Sequence, residues 1–306
     1  MNSSLDARLQ SLPKFAIYLI LIVITTIPLF VTMVVPNKPD PASIDLYTKL
    51  MTLPTDRPVL IASDWTGSTR GESKGAFNAV IKILMRRGIK FALYSTGDPQ
   101  APRVYQDAIA QINAQRVSRG EAPYERWNQW VNVGFFPGSE AATNGIATDI
   151  RATFSGRKDT APGQGQRDVI NSPVFSGITK VSDFSLLLVI TASKTSNFTI
   201  ERIKRGQPPL AMAVTGVMVP ETNNFYQSGQ IIGFAGGLKG VYDMEGLMTT
   251  GVTDANPPVP GFPDMKADNV GQGTAYYPTL HFAMFLLIVM VVIGNVGMFL
   301  SRKGAR

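Results

Sequence analysis

The chain has 306 residues, a formal net charge of +7 and a hydrophobic content of 44% beside 17% charged residues. This balance excludes general disorder and is typical of a globular domain joined to membrane-spanning segments. The absence of cysteine excludes disulfides, thiolate catalysis and cysteine-ligated zinc, and a single histidine, His281, disfavours histidine zinc sites and Ser-His-Asp triads. The basic residues are scattered along the chain, so we predict no nucleic-acid partner.

Two uncharged runs near the chain ends predict membrane-spanning helices. The first covers residues 15–35 and the second covers residues 280–300. Each has enough residues to cross a hydrocarbon core of about 30 Å, so the lipid bilayer is a predicted partner. The first run is longer than the apolar core of a signal peptide and ends at Pro36 and Lys38, which favours an uncleaved anchor.

The charges that flank the two runs predict the orientation. The residues on the terminal side of the runs are mainly basic: Arg8, Lys14, Arg302, Lys303 and Arg306. On the inner side of the runs, acidic residues match or exceed basic ones. The positive-inside rule then places residues 1–14 and 301–306 in the cytoplasm. We therefore predict a two-pass protein of the cell (inner) membrane with an extracytoplasmic domain.

Between the runs, apolar segments alternate with amphipathic helical patterns. Predicted strands are 59–62, 89–94, 130–136, 184–191 and 210–219, and predicted helices are 76–87, 102–119, 140–154, 198–205 and 227–248. This alternation predicts an α/β fold, a single Rossmann-like domain over 58–255 with a doubly wound, mainly parallel sheet. The proline-rich segments 36–57, with one short helix, and 256–279 are predicted stalks, and 155–166 is a predicted exposed loop.

The loop after the first predicted strand contains the leading candidate site. Asp64, Thr66 and Ser68 form an Asp-x-Thr-x-Ser pattern. The pattern resembles the metal-ion-dependent adhesion motif of von Willebrand factor A domains, and this resemblance implies a Mg²⁺ or Ca²⁺ site built from oxygen ligands. Where those domains carry Thr-Asp-Gly, this chain reads Thr191-Ala192-Ser193.

Asp64 has two further interpretations. The loop is similar to the phosphorylation motif of haloacid-dehalogenase-type phosphatases and P-type ATPases, which implies a nucleophilic Asp64 in a hydrolase or phosphotransferase. Alternatively, Asp64 and the neighbouring hydroxyls cap the following helix and bond the turn.

Small residues predict two packing surfaces. Five glycines recur at intervals of three and four residues: Gly229, Gly233, Gly236, Gly237 and Gly240. This spacing predicts one helix face that packs tightly on the sheet or on another subunit. In the second apolar run, Asn295 lies between Gly294 and Gly297 and predicts a helix–helix contact or a contact with headgroups and water.

Two stretches carry a wider resemblance. They are VNVGFFPGSEA at 131–141 and YQSGQIIGFAGGLKG at 226–240. Both resemble signature stretches of a family of uncharacterised prokaryotic membrane proteins with one span at each end and an α/β ectodomain. The resemblance implies the same layout here and implies no reaction.

The combined expectation is a non-enzymatic, membrane-anchored extracytoplasmic α/β domain. We predict that it is a structural or ligand-sensing subunit of a larger membrane complex, as a homo- or hetero-oligomer. One alternative is a divalent-metal-dependent adhesion or binding module at Asp64, which would use Mg²⁺ or Ca²⁺. A second alternative is an Asp64-dependent hydrolase or phosphotransferase.

Overall fold

A computed structural model of the chain describes residues 13–31, 33, 35–204 and 206–304. The chain divides into two units, which are the terminal segments up to Asn37 and from Thr274 onward, and a compact domain, Lys38–Gly273. Arg8 and Arg306, on which the predicted orientation depends, lie outside the described residues, and so does the side chain of Lys303.

The described elements alternate along the domain. The helices are α1 (Lys14–Phe30), α2 (Pro41–Thr52), α3 (Arg70–Arg86), α4 (Ala101–Ser118), α5 (Ser139–Thr148), α6 (Ile150–Phe154), α7 (Asn197–Arg202), α8 (Val219–Gln227), α9 (Gly237–Thr250), α10 (Lys266–Asn269) and α11 (Gln272–Gly304). The strands are β1 (Val59–Asp64), β2 (Phe91–Ser95), β3 (Trp130–Phe135), β4 (Lys158–Ala161), β5 (Gly165–Asp168), β6 (Leu186–Thr191), β7 (Leu210–Val214) and β8 (Phe234–Gly236).

Six of these strands form one sheet in the order β3-β2-β1-β6-β7-β8, and every neighbouring pair is parallel. Counted among themselves, the six strands have the order 3-2-1-4-5-6 of Rossmann-like doubly wound folds. The predicted α/β fold with a mainly parallel sheet is therefore confirmed. All six residues of β1 and of β6 are buried, as expected for strands with helices on both faces.

The predicted exposed loop at 155–166 is partly wrong, because β4 and β5 pair there as an antiparallel hairpin. No apolar alternation marks these strands in the sequence. A buried carboxylate holds the hairpin instead: Asp159 accepts hydrogen bonds from the Arg126 side chain and from the backbone N–H of Asn132 in β3. A polar contact of this kind leaves no periodic pattern.

Most of each predicted stalk belongs to the domain, which includes residues 38–57 of the first and 256–273 of the second. In α2, the side chains of Leu46, Tyr47 and Leu50 are fully buried in the core with β1, α3 and α9. At the other end, the Asn269 side chain is buried and its Nδ2 donates to the carbonyl oxygens of Met248 and Phe262. The boundaries predicted at 58 and 255 are therefore wrong, because proline content indicated turns but carried no information on which apolar faces reach the sheet.

The terminal helices have different lengths. In the described part of the chain, one helix, Gln272–Arg302, is long and apolar enough to cross a membrane, with a mean hydropathy of 2.6. The first predicted span gives only α1, whose 17 residues rise about 26 Å. The backbone becomes extended at Val31, just after Pro28 in the last turn, which has no N–H to donate.

Candidate functional site

Ligands of Rossmann-like folds bind at the carboxyl edge of the sheet, beside the point where the strand order reverses. Here that point lies between β1 and β6, which are neighbours in the sheet. Short 3-10 turns follow three of the strands and lead into helices: Gly67–Thr69 after β1, Lys194–Ser196 after β6 and Gly216–Met218 after β7. This edge is therefore built from tight turns rather than from long loops.

Asp64, the last residue of β1, points toward the loop after β2. Its Oδ1 accepts hydrogen bonds from Ser95 Oγ at 2.8 Å, from the Thr96 N–H at 2.7 Å and from the Gly97 N–H at 2.9 Å. The Thr96 hydroxyl donates to Oδ2 at 3.3 Å. Asp64 is 8% exposed, so these four donors replace the water that its carboxylate loses on burial. Asp64 thus fastens the β2–α4 loop to β1.

Thr66 and Ser68 belong to a separate hydrogen-bond group. Their hydroxyl oxygens are 2.9 Å apart, and the backbone N–H of Thr66 donates to Thr69 Oγ1 at 3.3 Å, which closes a reciprocal cap on the turn. The hydroxyls therefore cap the turn as one interpretation predicted, whereas Asp64 does not take part. Among the described residues, no group of three or more His, Asp or Glu side chains is placed to hold a metal ion. The Mg²⁺ or Ca²⁺ site stays a prediction.

Charged side chains connect the turns at this edge. Glu72 of α3 accepts a hydrogen bond from the Gly216 N–H at 2.6 Å, beyond the end of β7. Glu221 of α8 forms an ion pair with Lys194 Nζ at 3.0 Å and accepts a hydrogen bond from Asn197 Nδ2 at 2.8 Å. The turn after β6 is thus held to α8, and the turn after β7 is held to α3. The sequence carried no sign of the contact made by Glu72.

Buried hydroxyls are a further property of this edge. The side-chain oxygens of Ser63, Ser73 and Thr215 are buried and have no hydrogen-bond partner within the part of the chain that the structure describes. An unsatisfied buried hydroxyl costs about 1–3 kcal/mol, so such groups are uncommon away from sites that bind water or a ligand.

The five predicted interface glycines do not share one helix face. Gly229 lies in an exposed turn after α8 and Gly233 precedes β8. Gly236 ends β8, Gly237 begins α9 with φ +57°, and Gly240 lies one turn into α9. The predicted helix over 227–248 is partly wrong: its second half is α9, but the three-residue strand β8 precedes α9 and occupies the middle of the predicted range. Helical spacing of the glycines was coincidental.

The close approaches that these glycines permit lie inside the domain. A Cβ on Gly233 would lie 2.5 Å from the backbone nitrogen of Leu46 in α2. A Cβ on Gly240 would lie 2.6 Å from the carbonyl carbon of Ala235 in β8. Real Cβ atoms do not come so close, so glycine at these positions lets α2 and α9 pack directly on the β8 segment.

Asn295 is exposed on α11, and its side chain makes no hydrogen bond to any residue that the structure describes. A Cβ on its neighbour Gly294 would meet nothing within 4 Å. The helix surface at this point is open, and the predicted helix–helix contact stays a prediction.

Two buried carboxylates of α9 escaped the sequence analysis. Asp243 and Glu245 are 1% and 5% exposed. Asp243 Oδ2 accepts from the Asp40 N–H at 3.0 Å, and Glu245 accepts from the N–H groups of Gly271 at 3.1 Å and Gly273 at 2.9 Å. The signal that marks them is two acids inside an otherwise apolar helical pattern, VYDMEGLM.

A third acid at the end of the domain is surrounded by cations. Asp268 of α10 lies 3.2 Å from Lys82 Nζ, 2.5 Å from Arg86 Nη2 and 2.9 Å from Arg119 Nη1. Burial acts to raise the pKa of the Asp268 carboxyl, but the charges of these residues and the hydrogen bond from Arg86 outweigh it, so the pKa is lowered. Asp268 thus joins α10 to α3 and to the end of α4.

Comparisons with protein-family models, with curated proteins and with solved structures give no match. The resemblance to a family of two-span prokaryotic membrane proteins therefore stays a prediction, and function has to be inferred from the geometry of this chain.

Proposed function

We propose that the protein is a non-enzymatic, membrane-anchored extracytoplasmic α/β domain that serves as a structural or ligand-sensing subunit of a larger membrane complex. The observation that carries this proposal is that both ends of the domain are fastened to the same helix, α9.

The contacts at the two ends are specific. At the first end, Lys239 Nζ donates to the Lys38 carbonyl oxygen at 3.1 Å and lies 3.3 Å from Asp40 Oδ1, while Asp243 accepts from the Asp40 N–H. At the last end, Glu245 accepts from two successive glycine N–H groups of residues 271–273. Breaking the hydrogen bonds of a buried carboxylate leaves an uncompensated buried charge, which is costly. Both ends of the domain are therefore held firmly.

The placement of these contacts holds both ends of the domain, residues 38–40 and 271–273, on α9. Residues two apart on a helix, such as Asp243 and Glu245, lie about 200° apart around its axis. The entering and leaving segments therefore lie on opposite sides of one helix, whose diameter with side chains is about 10 Å. Both ends of the domain therefore lie within about one helix diameter of each other, which suits a domain anchored by two helices in one bilayer.

The terminal helices support the anchor. The apolar helix Gln272–Arg302 is long enough to cross a bilayer. The 17 residues of α1 are at the short end of the range for transmembrane helices. The exposed Asn295 supplies a polar group for contact with another membrane helix, which supports membership of a complex. The Asp64 carboxylate already binds four donors, which favours the structural role over the adhesion and hydrolase alternatives that need it for a ligand.

The absence of cysteine makes the topology directly measurable. We expect a membrane-impermeant maleimide to label Val217→Cys, at a domain residue that is 84% exposed, in intact cells. It should label Lys14→Cys and Arg302→Cys only after the membrane is opened. Labelling of Val217→Cys only in opened cells, or release of the protein by alkaline carbonate, would refute the proposal.

Membership of a complex has a separate test. The mass of the full chain, extracted in mild detergent, is measured with and without a chelator. We expect an assembly larger than one chain that is indifferent to the chelator. A monomer that binds Mg²⁺ or Ca²⁺ would instead support the adhesion module at Asp64, Thr66 and Ser68.

A further inference from the structure

A groove of about 160 Å³ lies between α3 and α4, next to the end of β1. Arg70 and Lys74, one helical turn apart on α3, form one side of it, and Val104 and Ala108 of α4 form the other. Trp65, which follows β1, also lines the groove. The groove therefore combines two cations with an apolar wall.

The two cations of this groove form no ion pair with any described residue. Arg70 is exposed and makes no hydrogen bond or ion pair with any residue that the structure describes. Lys74 Nζ donates to the neutral Gln111 Oε1 at 2.7 Å and has no carboxylate partner in the part of the chain that the structure describes. The acid that lines the groove, Asp107, lies 3.2 Å from Arg103 and forms an ion pair with it. Burial and then the charge of Arg70 lower the pKa of Lys74, which a bound anion would reverse.

The apolar side of the groove is well ordered by packing. Trp65 is 1% exposed and packs against Phe77 in a tilted arrangement with 5.5 Å between ring centroids, and its buried indole N–H has no acceptor among the described residues. A volume of 160 Å³ is below that of drug-sized pockets, about 300–1,000 Å³. A single water molecule needs about 10–15 Å³ of such volume, so the groove has room for several small groups and can take a short-chain acid.

We propose that this groove binds a small organic carboxylate, with the carboxylate group between Arg70 and Lys74 and the hydrocarbon part against Val104, Ala108 and Trp65. A guanidinium and an ammonium are suited to a carboxylate because charge-assisted hydrogen bonds are about twice as strong as neutral ones. The site supplies a ligand class for the ligand-sensing form of the proposed function and rests on that proposal for its role.

The test is isothermal titration calorimetry of the full-length chain in mild detergent, with butyrate and inorganic phosphate as probes. We expect butyrate to bind at one site per chain and phosphate to bind at least about tenfold more weakly, because phosphate gains nothing from the apolar wall. No butyrate binding, or phosphate binding as tight as that of butyrate, would overturn the inference.

Three variants locate the binding. Arg70→Gln and Lys74→Gln should each weaken butyrate binding about tenfold, since each removes a charged donor. Arg167→Gln is the matched control, because it removes an equally exposed cation from β5, outside the groove, and should bind as the wild type does. An equal effect of Arg70→Gln and Arg167→Gln would show that only net charge matters and would refute the site.

A fourth variant tests the apolar wall with all charges kept. Val104→Phe should fill the groove and abolish butyrate binding, with folding checked by thermal unfolding. A folded Val104→Phe variant that binds butyrate as tightly as the wild type would contradict the inference. If Val104→Phe does not fold, the result for Arg70→Gln, at an exposed residue, decides whether the site exists. These measurements need neither a membrane orientation nor a partner. If the wild type does not bind butyrate but the cysteine variants are labelled as expected, the site alone is refuted. If butyrate binds as expected but the labelling contradicts the predicted topology, the proposed function alone is refuted.

Discussion

At the scale of single residues, Asp64 shows how the direction of a side chain decides its role. The sequence places Asp64 in a loop with Thr66 and Ser68, and three different functions follow from that proximity. In the structure, its carboxylate faces the adjacent strand loop and accepts hydrogen bonds from Ser95, Thr96 and Gly97. Its contribution is therefore to stability.

We predict that Asp64→Asn lowers the free energy of unfolding by about 2 kcal/mol, because an amide replaces a charged acceptor of several hydrogen bonds. Thr66→Ala is the control and should change it by no more than about 0.5 kcal/mol, since Thr66 lies in a partly exposed turn. Chemical denaturation measures both. Unchanged stability of Asp64→Asn, together with loss of Mg²⁺ binding, would restore the metal interpretation.

At the scale of elements, glycines of α9 provide a matched pair. Gly240 faces the backbone of β8, whereas a Cβ on Gly246 would meet nothing within 4 Å. We predict that Gly240→Ala destabilises the domain by about 1–3 kcal/mol through overpacking. Gly246→Ala should stabilise it by up to about 1 kcal/mol, because alanine favours a helix. Thermal unfolding decides, and equal effects of the two changes would contradict the packing described for α9.

The contact of α10 with α3 and α4 predicts a specific acid sensitivity. The pKa of Asp268 is lowered in the folded state, so its contribution to stability is present above its unfolded pKa of about 4 and is lost as the pH falls through the folded pKa. At pH 7, Asp268→Asn should cost about 3 kcal/mol, because Lys82 and Arg86 keep buried charges without a counterion.

The measurement for Asp268 is the free energy of unfolding at pH 7 and at pH 3. The gap between the wild type and Asp268→Asn should narrow at pH 3, because the Asp268 carboxyl is mostly protonated there in the unfolded chain and its lowered folded pKa then contributes less stability. Asp107, which forms an exposed ion pair with Arg103, supplies the control. Asp107→Asn should keep the pH dependence of the wild type. A gap that stays constant with pH would contradict the role of the Asp268 charge.

At the scale of the whole molecule, the domain boundaries predict which fragment folds. Residues 38–273 form the compact unit, whereas the boundaries predicted from the sequence were 58 and 255. The shorter fragment lacks the buried side chains of Leu46, Tyr47 and Leu50. Each contributes about 1.5–3 kcal/mol, together a large part of the 5–15 kcal/mol that stabilises a domain.

We therefore expect fragment 38–273 to be soluble and to unfold in one cooperative thermal transition, and fragment 58–255 to aggregate or to show no transition. Circular dichroism and size-exclusion chromatography measure both. Equal melting of the two fragments would show that α2 and the Asp268 contacts are dispensable.

The sequence by itself determined the α/β class and the parallel sheet. Strands such as β1 and β6 are buried on both faces, so their residues must be almost uniformly apolar, and the helices between them must repeat apolar residues at helical spacing. These are local patterns. The long apolar helix near residue 300 follows from composition in the same way.

Only the tertiary structure decided where the polar side chains act and where the domain ends. The bond from Asp40 to Asp243 joins residues 203 positions apart, and the hairpin β4–β5 is held by a buried aspartate rather than by an apolar pattern. The spacing of the glycines around β8 fits a helix, but in the structure they flank a strand and allow neighbouring helices to pack closely on it. Contacts between residues this far apart depend on the assembled sheet, and no local repeat in the chain records them.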